Sequence, residues 1–151
     1  MATNQNQTLV RRFFDEMCNQ RKLNIADELF APNHAYHDPQ APTGPGPEGV
    51  KQVISGYQTA FPDAHWNVVE TIVADDVIVT RWIGTGTHKK ELNGIPATGK
   101  SVKVQGTWIH RFKDNKIIES LNVWDTLGML QQLGVVPVMG ETTEASLAGK
   151  N

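Results

Sequence analysis

The chain is short of the residues that mark several simple function classes. A single cysteine, Cys18, stands among 151 residues, which excludes an internal disulfide and a thiolate metal cluster and agrees with a reducing compartment. As a nucleophile Cys18 is the poorer reading; a small buried or surface thiol on the first helix is the better one. Nowhere do about 18 apolar residues follow one another, so no membrane span is expected. The opening Met-Ala-Thr-Asn-Gln-Asn-Gln lacks the positive flank and apolar core of a signal peptide, and a cytoplasmic protein is expected. Charge of neither sign accumulates: 14 Lys and Arg face 16 Asp and Glu, a net charge of -2. No basic stripe offers itself to nucleic acid and no acidic tail to a basic partner. Gly44 to Gly49 is glycine-rich but has neither the lysine nor the preceding strand of a phosphate loop, and its prolines remove amide donors. Ser101 and Ser120 lack a Gly-x-Ser-x-Gly context, which argues against a serine hydrolase.

What is present is a change of hydrophobic period along the chain. Leu9, Phe13 and Met17 recur every four residues, with Val10 and Phe14 beside them, which predicts an amphipathic helix over about 5 to 20. Asn24 is placed to cap a second helix, Ile25 to Phe30, with Pro32 ending it. Residues 39 to 47 hold four prolines and two glycines and read as a restricted loop, and Glu48 to Ala60 as a third helix. After these, 66 to 74, 77 to 87, 101 to 112 and 117 to 125 alternate or are rich in β-branched and aromatic residues. Turns fall at Asp75-Asp76 and Asp114-Asn115. Helices first and a meander after them predict an α+β class, helices on one face of a curved antiparallel sheet. One domain is expected over 1 to 137, and a mobile tail over 138 to 151.

The strand at 117 to 125 ends on a carboxylate, Asp125. An acid on the apolar inside of a sheet needs a partner or a task, because desolvation disfavours its charged form. Asp125 is therefore the leading general acid/base candidate. Alternation puts Val104, Gly106, Trp108 and His110 on one side of their strand, and pairing about the turn near 115 sets His110 opposite Ser120 and Gly106 nearer Asp125. His37, expected at a strand start beside the Pro/Gly loop, is a candidate donor to a substrate carbonyl or else a packing residue. His88 is expected at a surface or rim, and His65 is given no role. His34, His37 and Asp38 are weak as a metal set for want of a distant matching cluster, so no metal is expected. Trp66, Trp82, Trp108 and Trp124 lie on predicted strands. Trp82 and Trp108 are the better ligand-contacting candidates, and Trp124, adjacent to Asp125 and so on the opposite face, the better interface residue. Phe13, Phe14, Met17 and Tyr57 can close the other side, core packing being the stronger reading for them.

Several strings occur in a telling order: Leu-Val-Arg-Arg-Phe-Phe-Asp-Glu in the first helix, Tyr-His-Asp-Pro at 36 to 39, Gly-Pro-Glu-Gly at 46 to 49 and Ala-Phe-Pro-Asp at 60 to 63. Gly-Thr-His follows at 86 to 88, Asn-Gly-Ile-Pro-Ala-Thr-Gly-Lys at 93 to 100 and Trp-Asp-Thr-Leu-Gly-Met-Leu-Gln-Gln-Leu-Gly at 124 to 134. Together they resemble the SnoaL-like polyketide cyclases, or ester cyclases, of the NTF2-like superfamily, over roughly 8 to 137. The resemblance implies a cone-shaped barrel, a homodimer through the outer sheet face, and a deep pocket for a small apolar or aromatic ligand. It also implies chemistry without cofactor: ring closure of an aromatic polyketide ester by intramolecular aldol condensation, with Asp125 at the position of the acid/base aspartate and His110 as its partner. Related chemistry in the superfamily includes double-bond isomerisation and epoxide opening by an Asp-Arg-Asp set. Arg81 and Arg111 are present for the latter, but a second carboxylate is not evident. A ligand-binding dimer without turnover is the third reading.

Overall fold

The computed structural model describes residues 2–40, 43–138 and 140. Helix α1, Ala2–Arg12, runs on into a π-helical turn, Phe13–Asn19. That widened turn buries Phe13, Phe14, Met17 and Cys18. It also loosens the carbonyls at its end, and the buried Gln58 amide donates to Met17 O at 3.2 Å and to Cys18 O at 2.8 Å. Asn19 mimics a strand partner: its Nδ2 donates to Trp66 O and its Oδ1 accepts from Trp66 N, both at 2.8 Å. The helix is thereby fixed to β2 through two bonds that water would otherwise have to satisfy.

The second helix is shorter than its sequence implies. A 3-10 turn, Leu23–Ile25, leads into α2, Ala26–Leu29, and Asn24 lies inside the turn without capping anything. Phe30 already belongs to strand β1, Phe30–His37, with Pro32 inside it. Proline is tolerated there because β1 is an edge strand with a free side. Helix α3, Pro47–Ala60, takes Pro47 at its first turn. Strands β2, His65–Ala74, β3, Val77–Thr87, β4, Ser101–Lys113, and β5, Lys116–Trp124, match their sequence signals to within a residue or so at each end, and α4 is Thr126–Gln132.

The sheet order is β1-β5-β4-β3-β2, with β2 to β5 an antiparallel meander and β1 added parallel to β5. The β4–β5 turn has positive φ at both Asp114 and Asn115, as a two-residue hairpin turn requires. It sets His110 opposite Ser120, Trp108 opposite Asn122 and Gly106 opposite Trp124. The helices pack on one face of this sheet and bury Phe13, Phe30, Ile54, Ile78 and Trp108 in one core. A smaller cluster around Phe61, Leu92 and Met129 closes the end where α3 and α4 approach each other. No helix among the described residues is long and apolar enough to cross a membrane. The tail expected from 138 lies, apart from Val138 and Gly140, outside the described residues.

Gly106 sits between two indoles, Trp82 on β3 and Trp124 on β5, whose ring centroids are 6.4 Å apart. A Cβ at 106 would come within 2.5 Å of both Trp82 Cζ2 and Trp124 Cβ. Gly106→Ala is expected to cost about 2 kcal/mol, as overpacking does. The check is a lower urea midpoint at unchanged slope, with a changed near-ultraviolet tryptophan signal.

Candidate functional site

Between α3 and the sheet lies a cavity of about 60 Å³. Val53, Ile54 and Tyr57 of α3, with Phe61 just past its end, form one wall. Trp82, Val104, Trp108, Asn122 and Trp124 form the other, and Met129 of α4 closes an end. Its walls are mostly apolar, and among the described residues no Asp, Glu, Lys or Arg lines it. Polar groups are few and neutral. Tyr57 stands on α3, Asn122 is 5% exposed and its Oδ1 has no hydrogen-bond partner, and the buried Trp82 Nε1 has none either. His65 and Thr85 lie at the rim of β2 and β3. A second, outer space of about 300 Å³ shares Val53 and Tyr57 with the first and is otherwise lined by Gln40, Thr43, Gln52, Gly56, Leu92 and Asn93. This vestibule adjoins the inner cavity at Val53 and Tyr57.

Of the acidic residues among those described, Asp38 alone is buried, at 7% exposure. Its Oδ2 accepts from the Tyr36 hydroxyl at 2.8 Å and its Oδ1 from Gln40 N at 2.8 Å. Burial, then the Asp38 charge and hydrogen bond, raise the Tyr36 hydroxyl well above the usual phenol range, and the Asn122 amide opposes this. Tyr57 is pushed up to about 12, by burial first and Asp38 second. Asp38, Tyr36, Asn122 and Tyr57 thus form one neighbourhood in which both phenols stay protonated at neutral pH and remain donors.

Asp125 lies elsewhere. β5 ends at Trp124, and Asp125 is an exposed residue that caps α4, its Oδ1 accepting from Gly128 N at 2.8 Å. A Cβ at position 128 would collide with that carboxylate, so the glycine is part of the cap. The faces are the reverse of those expected: Ser120, Asn122 and Trp124 share the inner side, and Trp124 is a cavity wall rather than an interface residue. His110 is not beside Asp125. It is fully buried, stacked on Trp108 with centroids 5.2 Å apart and edge-on to Phe13, with neither ring nitrogen bonded. Ser120, its partner across the strands, is roughly 17 Å back along the chain from Asp125 at about 3.4 Å per residue.

The other candidates separate likewise. Trp82, Trp108 and Tyr57 line the cavity, whereas Phe13, Phe14 and Met17 are core residues behind it. His37 ends β1 instead of starting a strand, and is exposed, 3.1 Å from Glu119. His88, expected at a surface or rim, is completely buried. Its Nδ1 accepts from Thr98 N at 3.2 Å and lies 3.0 Å from Thr98 Oγ1, tying down the β3–β4 connection. His34 pairs with Ser120 at 2.7 Å inside the core, so His34, His37 and Asp38 each have a different partner and do not converge. Arg81 and Arg111 pair with Glu70 and Glu119 and do not line the cavity.

A family model for SnoaL-like polyketide cyclases matches residues 8–133. The chain belongs to that family. No curated protein matches the chain. Among solved structures it resembles TsrD from Streptomyces laurentii at 23% identity and a TM-score of 0.80, covering 88% of this chain and 97% of that one. A candidate polyketide cyclase from Acidithiobacillus ferrooxidans shares 28% identity with a TM-score of 0.77, over 86% and 94% of the two chains. IdmH from Streptomyces antibioticus, also described as a candidate polyketide cyclase, shares 29% identity with a TM-score of 0.74, over 86% and 99%. The fold of this chain is that of the SnoaL-like family.

Burial, and secondarily His34, lowers the His110 pKa to about 3, and burial lowers His34 to about 4. Both rings are therefore neutral in the folded chain and protonate below about pH 6.5 once it unfolds. Their contribution is complete above that pH and drains away as pH falls, for His34 towards 4 and for His110 towards 3. His110→Phe is expected to leave stability at pH 7 nearly unchanged and to flatten its fall between pH 6 and 4 by up to about 1.4 kcal/mol per pH unit. Urea titrations at pH 7, 6, 5 and 4 measure this.

Proposed function

We propose that the protein is a cofactor-free acid/base enzyme acting on an enolisable carbonyl compound of the β-keto ester type, closing a ring by intramolecular aldol addition. The observation that carries this reading is the mostly apolar cavity whose wall residue Tyr57 feels the charge of Asp38, the one buried carboxylate among the described residues, which itself stands outside the cavity lining. In such a step a base takes the proton from the carbon between two carbonyls. The enolate carbon attacks a second carbonyl carbon, and the alkoxide so formed takes up a proton. Tyr57, protonated up to about pH 12, and the Trp82 N–H are donors suited to the enolate oxygen. Asp38 is the base in this reading, with Tyr36 holding its carboxylate and Asn122 beside it. Asp125, which follows the cavity residue Trp124, is the alternative base implied by the family resemblance.

The inner cavity is smaller than the ~150 Å³ that accommodates benzene in a dry core. A fused-ring ester has to extend past Tyr57 into the vestibule. Deuterium uptake in heavy water, followed by NMR on ethyl acetoacetate and methyl 3-oxo-3-phenylpropanoate, tests the chemistry. Wild type is expected to exceed the buffer rate, Asp38→Asn to lose about 10²-fold or more, and Asp125→Asn, which keeps a good helix cap, to retain it. Loss in Asp125→Asn alone would transfer the role to Asp125. Tight binding without exchange would leave a ligand-binding module.

The reading includes a homodimer. Ile72, Val79, Ile109 and Leu121 are register neighbours in a row across β2 to β5, opposite in parity to the buried Ile78 and His110. The ion pairs Arg81–Glu70 and Arg111–Glu119, made within the chain, flank the row and leave a polar rim without excess charge of either sign. Light scattering is expected to give twice the chain mass for the wild type and the single mass for Ile109→Lys; a monomeric wild type would remove the dimer from the reading.

A further inference from the structure

We infer that the vestibule is a second binding subsite, specific for an uncharged, hydrogen-bonding group that the substrate carries beyond its carbonyl head. The inference rests on the carbonyl head occupying the inner cavity, as proposed above.

At about 300 Å³ the vestibule is several times larger than the cavity behind it and reaches the lower end of ligand-pocket sizes. Gln40, Gln52 and Asn93 bring three amides, while the Thr43 hydroxyl is buried towards Gly49, and among the described residues no charged side chain lines the space. Amides both donate and accept, so they match a group that does the same, such as a diol or another amide. A phosphate, carboxylate or ammonium would find no counterion among the described lining residues.

Two features give the subsite a fixed shape. Asn93 and Gly94 have φ of 46° and 87° and form the centre of a two-residue turn, closed by Leu92 N to Ile95 O at 2.9 Å and Ile95 N to Leu92 O at 2.8 Å. The Asn93 side chain is thus presented by a stiff hairpin tip. Opposite it, Gln52, Val53, Gly56 and Tyr57 form one stripe of α3. Gly56 is mid-helix, where glycine costs about 1 kcal/mol relative to alanine. A Cβ there would meet nothing within 4 Å, so no packing contact calls for a glycine. Its lack of a side chain keeps the vestibule open next to Tyr57, the residue that both spaces share.

The test compares ligands with one head and different tails, by titration of tryptophan fluorescence. Ethyl acetoacetate is set against 2,3-dihydroxypropyl acetoacetate, against the N-acetylcysteamine thioester of acetoacetate, and against carboxymethyl acetoacetate. The diol and amide arms separate a hydroxylated from an amide-bearing tail. In the wild type at least one of them is expected to bind 10-fold or more tighter than ethyl acetoacetate, and the carboxylate no tighter. Gly56→Leu, a favourable helix substitution, is expected to bring that ratio close to one. Equal affinity of all four ligands for the wild type, or a ratio that survives in Gly56→Leu, would overturn the vestibule and leave the inner cavity standing. No binding by any of them would overturn both.

Discussion

The inner cavity depends on the absence of a side chain at Gly106. Strand register places this residue level with Trp82 on one neighbour and Trp124 on the other, and the Trp82 ring and the Trp124 Cβ occupy the room it leaves. Without that notch the two indoles could not share the floor of the cavity, and Tyr57 would lose Trp124, which it meets edge-on at 5.5 Å. The width of the site is thus set by close packing, in which a single methyl group is felt.

Electrostatics then divide the interior into two regions. Around the cavity, neutral donors gather near Asp38, whose carboxylate is held by Tyr36 and a backbone amide. Deeper in the core His34, His110 and Ser120 form a separate polar patch, with only the His34–Ser120 pair bonded. Desolvation acts on the two regions oppositely: it keeps the phenols protonated and the imidazoles unprotonated. Among the described residues no Asp, Glu, Lys or Arg lines the cavity, and recognition there is a matter of shape and of a few hydrogen bonds.

The meander was legible because β-branched alternation and the turns at 75–76 and 114–115 are local signals. Pairing about the second turn predicts His110 opposite Ser120, as observed. The same count, carried on by twos, places Trp108 beside Asn122 and Gly106 beside Trp124 on the inner side. That register is the signal for Asn122 and Trp124, and it puts Asp125, one residue further on, at the opposite parity. β1 was not legible. Phe30 to His37 shows no alternation, contains a proline, and pairs in parallel with a strand more than eighty residues away, so its partner leaves no trace nearby. Nothing local marks Asp38 as a buried acid, because its burial depends on that distant pairing, and nothing local marks His88 as a core residue, because the folded-back 89–100 connection and Phe61 cover it.

The parallel pairing of β1 also constrains the order of assembly. Phe30 lies beside Ile117 and His37 beside Leu121, so the edge strand has no place to dock until the β4–β5 hairpin exists. During synthesis the amino-terminal third emerges first, with Phe13, Phe14 and Phe30 still uncovered, and waits for the last strand to be made. Long loop closures of this kind slow folding and prolong the exposure of sticky surface. The time this chain spends at risk of aggregation is set by how soon the β4–β5 hairpin follows.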